Sequence, residues 1–95
     1  MKIKYSKKAL KFLAKQEKAN VARIRQGIAG LTQNPAIGDI KPMEGYNDGT
    51  MRLRVGTFRI IYNYAEKIEK DEDGEEQTIE ILLIIDIGNR GDIYK

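Results

Sequence analysis

Apolar and polar residues alternate through Met51-Arg52-Leu53-Arg54-Val55, pause at Gly56-Thr57, and resume through Phe58-Arg59-Ile60-Ile61-Tyr62. Successive side chains of a strand point to opposite faces, so this stretch predicts a β-hairpin with a two-residue turn. Val55 then lies opposite Phe58, and Arg54 opposite Arg59. One face carries Met51, Leu53, Val55, Phe58, Ile60 and Tyr62; the other carries Arg52, Arg54 and Arg59. Like charges facing each other across a sheet oppose pairing, so these arginines require an anionic ligand or a buried carboxylate.

The pattern before the hairpin changes period twice. Met1, Ile3 and Tyr5 alternate with Lys2 and Lys4, which predicts a short strand ending at Ser6, itself a good N-cap. Leu10, Leu13, Ala14 and Glu17 recur at helical spacing, with lysines 7, 8, 11, 15 and 18 mostly on the other side. Asn20 reads as a second N-cap, followed by a stripe of Val21, Ile24, Ile28 and Leu31 that Asn34-Pro35 ends. Residues 6–33 are thus a helical hairpin with one apolar side, in which Gly27 and Gly30 permit close packing on the sheet. Ala36 to Gly49 holds Gly38, Pro42, Gly45 and Asn47-Asp48-Gly49 with no sustained period, and reads as a loop.

After the hairpin, residues 58–65 continue as a strand, residues 66–77 make an acidic connection with a solvated tip at residues 71–74, and residues 78–87 return. Ile79, Ile81, Leu83, Ile85 and Ile87 alternate onto one face of the returning strand, with Leu82 and Ile84 on the other, as in a central strand covered on both sides. The order strand, helix, helix, strand, strand, strand gives an α+β fold: a two-helix hairpin on one face of a small, largely antiparallel four-stranded sheet. The arginines lie on the opposite face.

Composition narrows the chemistry. Ninety-five residues, without a linker, make one domain spanning residues 1–95. The chain has no cysteine and no histidine, so disulfides, thiolate zinc sites and histidine acid–base chemistry are excluded together. No cofactor or metal pattern is found, and any catalysis must use Lys, Arg, Tyr, Asp or Glu. No apolar run is long enough for a membrane span, and the N-terminus does not read as a signal peptide, so a cytoplasmic location is expected. The formal charge is +3, but residues 66–76 carry a net −5, leaving +8 on the remainder. A field of that sign attracts polyanions, with nucleic acid the commonest in cytoplasm; an acidic protein or lipid would satisfy it as well.

The basic helix, the second helix, Lys41-Pro42-Met43-Glu44-Gly45, Arg52-Leu53-Arg54-Val55-Gly56-Thr57-Phe58-Arg59-Ile60-Ile61-Tyr62 and the terminal Gly88-Asn89-Arg90-Gly91-Asp92-Ile93-Tyr94 together resemble the RelE/ParE superfamily of bacterial toxins. The resemblance covers nearly the whole chain and is closest to RelE-like mRNA interferases. It implies a RelE-like fold and a type II toxin that cuts messenger RNA in the ribosomal A site. It also implies neutralisation by a RelB-like antitoxin that wraps the domain. ParE-like members share the fold and poison DNA gyrase, and a member that only binds antitoxin would keep it too. Position by position, Arg52 matches a lysine of the best-known RelE-type enzyme, Arg59 its hairpin arginine, and Arg90 and Tyr94 its terminal arginine and tyrosine. Arg54 falls on a usually basic position, whereas Asn89 stands where several relatives have histidine.

The chemistry that the resemblance implies is attack of a ribose 2′-hydroxyl on its adjacent phosphate, which needs a proton acceptor, a charge clamp and a proton donor. Arginine forks suit the clamp but are poor acceptors. Arg59 and Arg90 are therefore expected on the phosphate and Arg52 and Arg54 on the RNA backbone. Tyr94 is a stacking platform or, with its pKa lowered by the cations, the base. Lys41 and Glu44 are further candidates for proton transfer, with Lys41 also an RNA contact, and Lys7, Lys8 and Lys11 are secondary RNA contacts. Simpler readings stand beside these. Arg52 and Arg54 could be a solvated face near Asp86 or Glu80, Arg59 could pair with Asp86, Tyr94 could cap the core, and the three lysines could be a solvated helix face.

Overall fold

A computed structural model of the chain describes residues 1–46 and 48–89. Arg90 and Tyr94 lie outside the described residues. The elements run β1 (Lys2–Tyr5), α1 (Lys7–Ala14), α2 (Lys18–Gly30), β2 (Asp39–Pro42), β3 (Met51–Val55), β4 (Phe58–Lys70) and β5 (Glu76–Asn89). They form one five-stranded sheet in the order β1-β5-β4-β3-β2, with β1 parallel to β5 and every other pairing antiparallel. The sheet is therefore mixed and five-stranded rather than four-stranded. The added strand, β2, lies in the stretch expected to be a loop. It is four residues long, sits at the sheet edge and ends in Pro42, where the missing N–H is tolerated.

Ser6 joins the first strand to the first helix as expected. Its Oγ accepts from the Ala9 N–H at 3.0 Å and donates to the Ile85 carbonyl at 2.6 Å, so one hydroxyl caps α1 and ties it to β5. The second cap differs from the expectation: Glu17, not Asn20, is the N-cap of α2. Asn20 lies inside the first turn, where its amide donates to Gln16 Oε1 at 3.4 Å.

Both helices place their apolar stripes on one sheet face. Ala9, Leu13, Ile24, Ile28 and Leu31 pack with Leu53, Phe58, Ile60, Tyr62, Leu82, Ile84 and Ile87 in a single core. The Phe12 and Phe58 rings meet edge-to-face at 5.9 Å where α1 crosses the sheet. Gly27 marks the approach of α2 to β3, since a Cβ there would fall 2.5 Å from Val55 Cγ2. Gly30 instead faces the Ile37 carbonyl, 2.7 Å from such a Cβ, so it accommodates the following loop and not the sheet.

The hairpin register is the expected one, with Val55 paired to Phe58 and Arg54 to Arg59 across Gly56-Thr57. Gly56 has φ +57°, a left-handed conformation that a two-residue turn demands. The acidic segment departs from its expected form. β4 runs on to Lys70 and β5 starts at Glu76, so most of residues 66–77 is paired strand. Only Asp71–Glu75 turns, with Asp71 Oδ1 accepting from the backbone N–H groups of Asp73 and Glu75 at 2.9 Å each.

A register shift between Ile61 and Tyr62 corrects the facing of β5. Ile61 pairs with Asp86, but Tyr62 pairs with Ile84, so Ile85 is left over. Such a bulge switches the phase of a strand. Leu82, Ile84 and Ile87 consequently reach the core, while Leu83 is half-buried and Ile85 exposed, and the single face drawn through Ile79 to Ile87 does not exist.

Candidate functional site

The sheet face opposite the helices is built from β2 and the β3–β4 hairpin. Asp39 and Lys41 alternate onto the same face as Arg54 and Arg52, their register partners. Where β2 leads out of the sheet, the Lys41-Pro42-Met43-Glu44 segment and the two arginines enclose an open groove of about 500 Å³. Its rim is steadied from behind. Met43 N–H donates to the Thr50 carbonyl at 3.1 Å, which prolongs the β2–β3 pairing. The Asp48 carboxylate accepts from the Thr50 hydroxyl at 2.6 Å and its N–H at 3.1 Å, and the hydroxyl in particular holds Asp48 below the usual carboxylate pKa.

Arg52 and Arg59 are buried, 3% and 5% exposed, and Arg54 is half-buried. Burying guanidinium ions is costly unless opposite charge accompanies them. Asp39 supplies it: Oδ1 lies 3.6 Å from Arg52 Nη1 and Oδ2 3.9 Å from Arg54 Nη1. A carboxylate was expected near these arginines, but from Asp86 or Glu80. Asp86 instead lies 3.3 Å from Lys8 Nζ. Glu80 stands beside Tyr64 and Glu66 on another part of the sheet. Arg52 is thus buried and not part of a solvated face, and Arg54 is only partly solvated.

Of the residues singled out in the sequence, the groove brings together Lys41, Glu44, Arg52 and Arg54, and Arg59 adjoins it as the register partner of Arg54. Lys7, Lys8 and Lys11 lie exposed on α1 and do not line it. Asp39 escaped the sequence reading because its strand did. Its position two residues before Lys41, on an alternation leading into Pro42, was the available signal.

Among the described tyrosines, those on β4 are poor proton acceptors. Burial pushes the Tyr62 phenol up to about 12, Tyr64 adds to this, and Arg52 only partly opposes it. Tyr64 is also raised, by burial and then by Glu80, and its hydroxyl donates to the Leu31 carbonyl at 2.8 Å. Glu44 is the carboxylate that lines the groove itself. Among the described residues, no group of three or more acidic side chains could hold a metal ion, and no helix is long and apolar enough to cross a membrane.

Comparison with known families gives a match to the ParE toxin of the type II toxin–antitoxin system, parDE, over residues 3–94. The chain belongs to this family. It is a toxin of a type II toxin–antitoxin system, within the RelE/ParE superfamily that its hairpin and terminal segment resemble. No curated protein matches it. Among solved structures, the toxin is similar to a chain of the RelBE2 toxin–antitoxin complex from Mycobacterium tuberculosis, with TM-score 0.62, 19% identity, and 94% of this chain and 96% of that chain covered. It is also similar to a chain of the RelB–RelE complex from Methanococcus jannaschii, with TM-score 0.60, 23% identity, and coverage of 96% and 94%. Both likenesses support the same α+β fold.

Proposed function

We propose that the toxin is a ribosome-dependent endoribonuclease that cleaves messenger RNA in the ribosomal A site and so inhibits translation in the cytoplasm. The observation that carries this reading is the convergence of Lys41, Arg52 and Arg54 with one carboxylate, Glu44, on a groove open to solvent. A single-stranded RNA backbone fits such a groove, because guanidinium forks take phosphate oxygens bidentately and the ammonium adds a point charge.

In this reading Arg52, Arg54 and Lys41 seat the backbone, and Arg59 with Arg90 stabilises the charge that grows on phosphorus. The 2′-hydroxyl oxygen bonds to the adjacent phosphorus as its proton passes to Glu44. The bond to the 5′-oxygen then breaks, and that oxygen takes a proton from Tyr94 or from water, leaving a 2′,3′-cyclic phosphate and a 5′-hydroxyl. Glu44 suits the acceptor role because Tyr62 and Tyr64 of β4 hold their protons and arginine does not release one near neutral pH. Tyr94 stacks on a base or donates the final proton. Lys7, Lys8 and Lys11 contribute a secondary attraction to ribosomal RNA.

The partner that restrains this activity is a RelB-like antitoxin, as both similar structures are of toxins in complex with antitoxins. A small neighbouring reading frame encoding it restores growth when co-expressed.

A second reading, poisoning of DNA gyrase, is favoured by the ParE description of the matching family. Induction separates the two. Cuts within translated codons, lost in Arg54→Ala and Arg59→Ala proteins that remain folded, support the endoribonuclease; a replication block with a DNA-damage response and intact messages supports the gyrase poison.

A further inference from the structure

Asp39 faces two arginines at once, yet at 3.6 and 3.9 Å neither approach is as short as an ordinary charged hydrogen bond. Arg52 Nη1 and Arg54 Nε are buried and have no hydrogen-bond partner among the described residues. The guanidinium charges are therefore offset while part of their donor capacity stays open. Asp39 itself is half exposed, at 52%, and sits on an edge strand, so water can take over its carboxylate with little loss. Among the described residues no other carboxylate is in ion-pair range of Arg52 or Arg54.

We infer that Asp39 is a positioning residue: a resident counter-ion that holds Arg52 and Arg54 side by side in the free toxin and yields them to a phosphodiester when single-stranded RNA enters the groove. The inference rests on the nucleic-acid reading of that groove. A phosphate offers oxygens that both forks can reach as donors, whereas the carboxylate answers their charge without closing hydrogen bonds. Asp39 therefore acts as a competitor for the ligand as well as a strut. It keeps like charges together on β3, and it discourages occupation by anions too weak to displace it.

The two roles predict opposite signs. If Asp39 served only to brace the arginines, its removal would loosen them and weaken binding. As a counter-ion that must be displaced, its removal tightens binding. The experiment measures affinity of the full-length toxin for a short 2′-O-methyl oligoribonucleotide, which cannot supply the attacking hydroxyl, at several salt concentrations. Asp39→Asn is expected to bind roughly two- to tenfold more tightly than wild type at low salt, with the gain shrinking as salt screens the charges. Asp39→Glu keeps wild-type affinity, and Arg54→Ala weakens binding.

Equal or weaker binding by a folded Asp39→Asn protein, with Arg54→Ala still impaired, overturns the counter-ion role and leaves the groove reading intact. Binding indifferent to Arg54→Ala overturns the groove reading and the inference with it. Should Asp39→Asn fold poorly, the melting temperature of Asp39→Ser in inorganic phosphate gives the same decision: a larger rise than in wild type supports displacement, and an equal or smaller rise refutes it.

Discussion

The two ends of the β4–β5 pair are made of the same two strands and behave as different materials. At the Phe58–Tyr62 end β4 is flanked by β3 and β5, the helices cover one face, and the other face carries Arg59 beside the groove. Beyond Tyr62, β3 no longer pairs with β4, and before Ile81, β1 no longer pairs with β5, so the strands go on alone as a ribbon. Ile60 is 0% exposed and Ile68, on the same strand, is 65% exposed. Strand propensity does not distinguish these isoleucines; neighbouring elements do. Charge divides the same way: residues 66–80 carry eight acids against two lysines, so a chain of +3 overall has a ribbon of −6 and a body of +9. Segregation on this scale keeps the acids away from a cationic groove. Lys70 lies nine residues along β4 from Ile61, the partner of Arg52, a distance of roughly 30 Å at strand rise.

The sharpest way to break this contrast is to truncate the two isoleucines. Ile60→Ala empties space in a closed core and is expected to destabilise the toxin by about 2–5 kcal/mol, whereas Ile68→Ala changes stability by no more than about 0.5 kcal/mol. Urea unfolding of both variants measures the difference. Comparable losses would mean that the ribbon is covered as the body is.

Chemistry is expected at the covered end alone. Glu44→Gln keeps the shape of the groove and removes the proposed proton acceptor, and Arg54→Ala removes a proposed phosphate contact; each is expected to lower ribosome-dependent cleavage by about 100-fold with the fold intact. Replacing residues 66–80 by Asn-Gly, so that Ala65 and Ile81 close a two-residue hairpin, leaves cleavage unchanged. It alters stability by about 1 kcal/mol or less, because the removed strands are paired on one side only. Loss of cleavage in the shortened toxin, measured on purified ribosomes, would give the ribbon a part in catalysis.

Much of the covered end is legible in the sequence and little of its periphery is. Strict alternation on either side of Gly56-Thr57 fixes which residues oppose one another, and the arginines on one face follow from it. Four residues around Lys41 are too few to show a period, especially beside Gly38 and Pro42, so β2 went unread and with it the carboxylate that faces the arginines. In β5 nearly every position from Ile79 to Ile87 is apolar, and an unbroken apolar run carries no mark of the residue at which a bulge reverses its facing. Capping preference points to Asn20 as the start of the second helix, yet Glu17 is its N-cap. Asn20 has the better capping side chain, but Glu17 has the extended backbone of an N-cap without a side-chain cap bond, so chain geometry prevailed over capping preference.

The smallest effect expected at neutral pH concerns Tyr62 and grows only in alkali. Its phenol is pushed up to about 12 by burial at the covered end, against about 10 for an unfolded tyrosine. A folded-state pKa above the unfolded value means that the folded toxin retains a proton which the unfolded chain gives up. That contribution to stability is complete below pH 10 and is lost as pH rises through about 12. Tyr62→Phe lacks the titrating group, so wild-type stability should fall more steeply than that of the variant between those values, with the two curves parallel below pH 9 or so. Parallel curves throughout would place Tyr62 in contact with water, and the division between a covered body and an open ribbon would then have to begin before Tyr62 instead of after it.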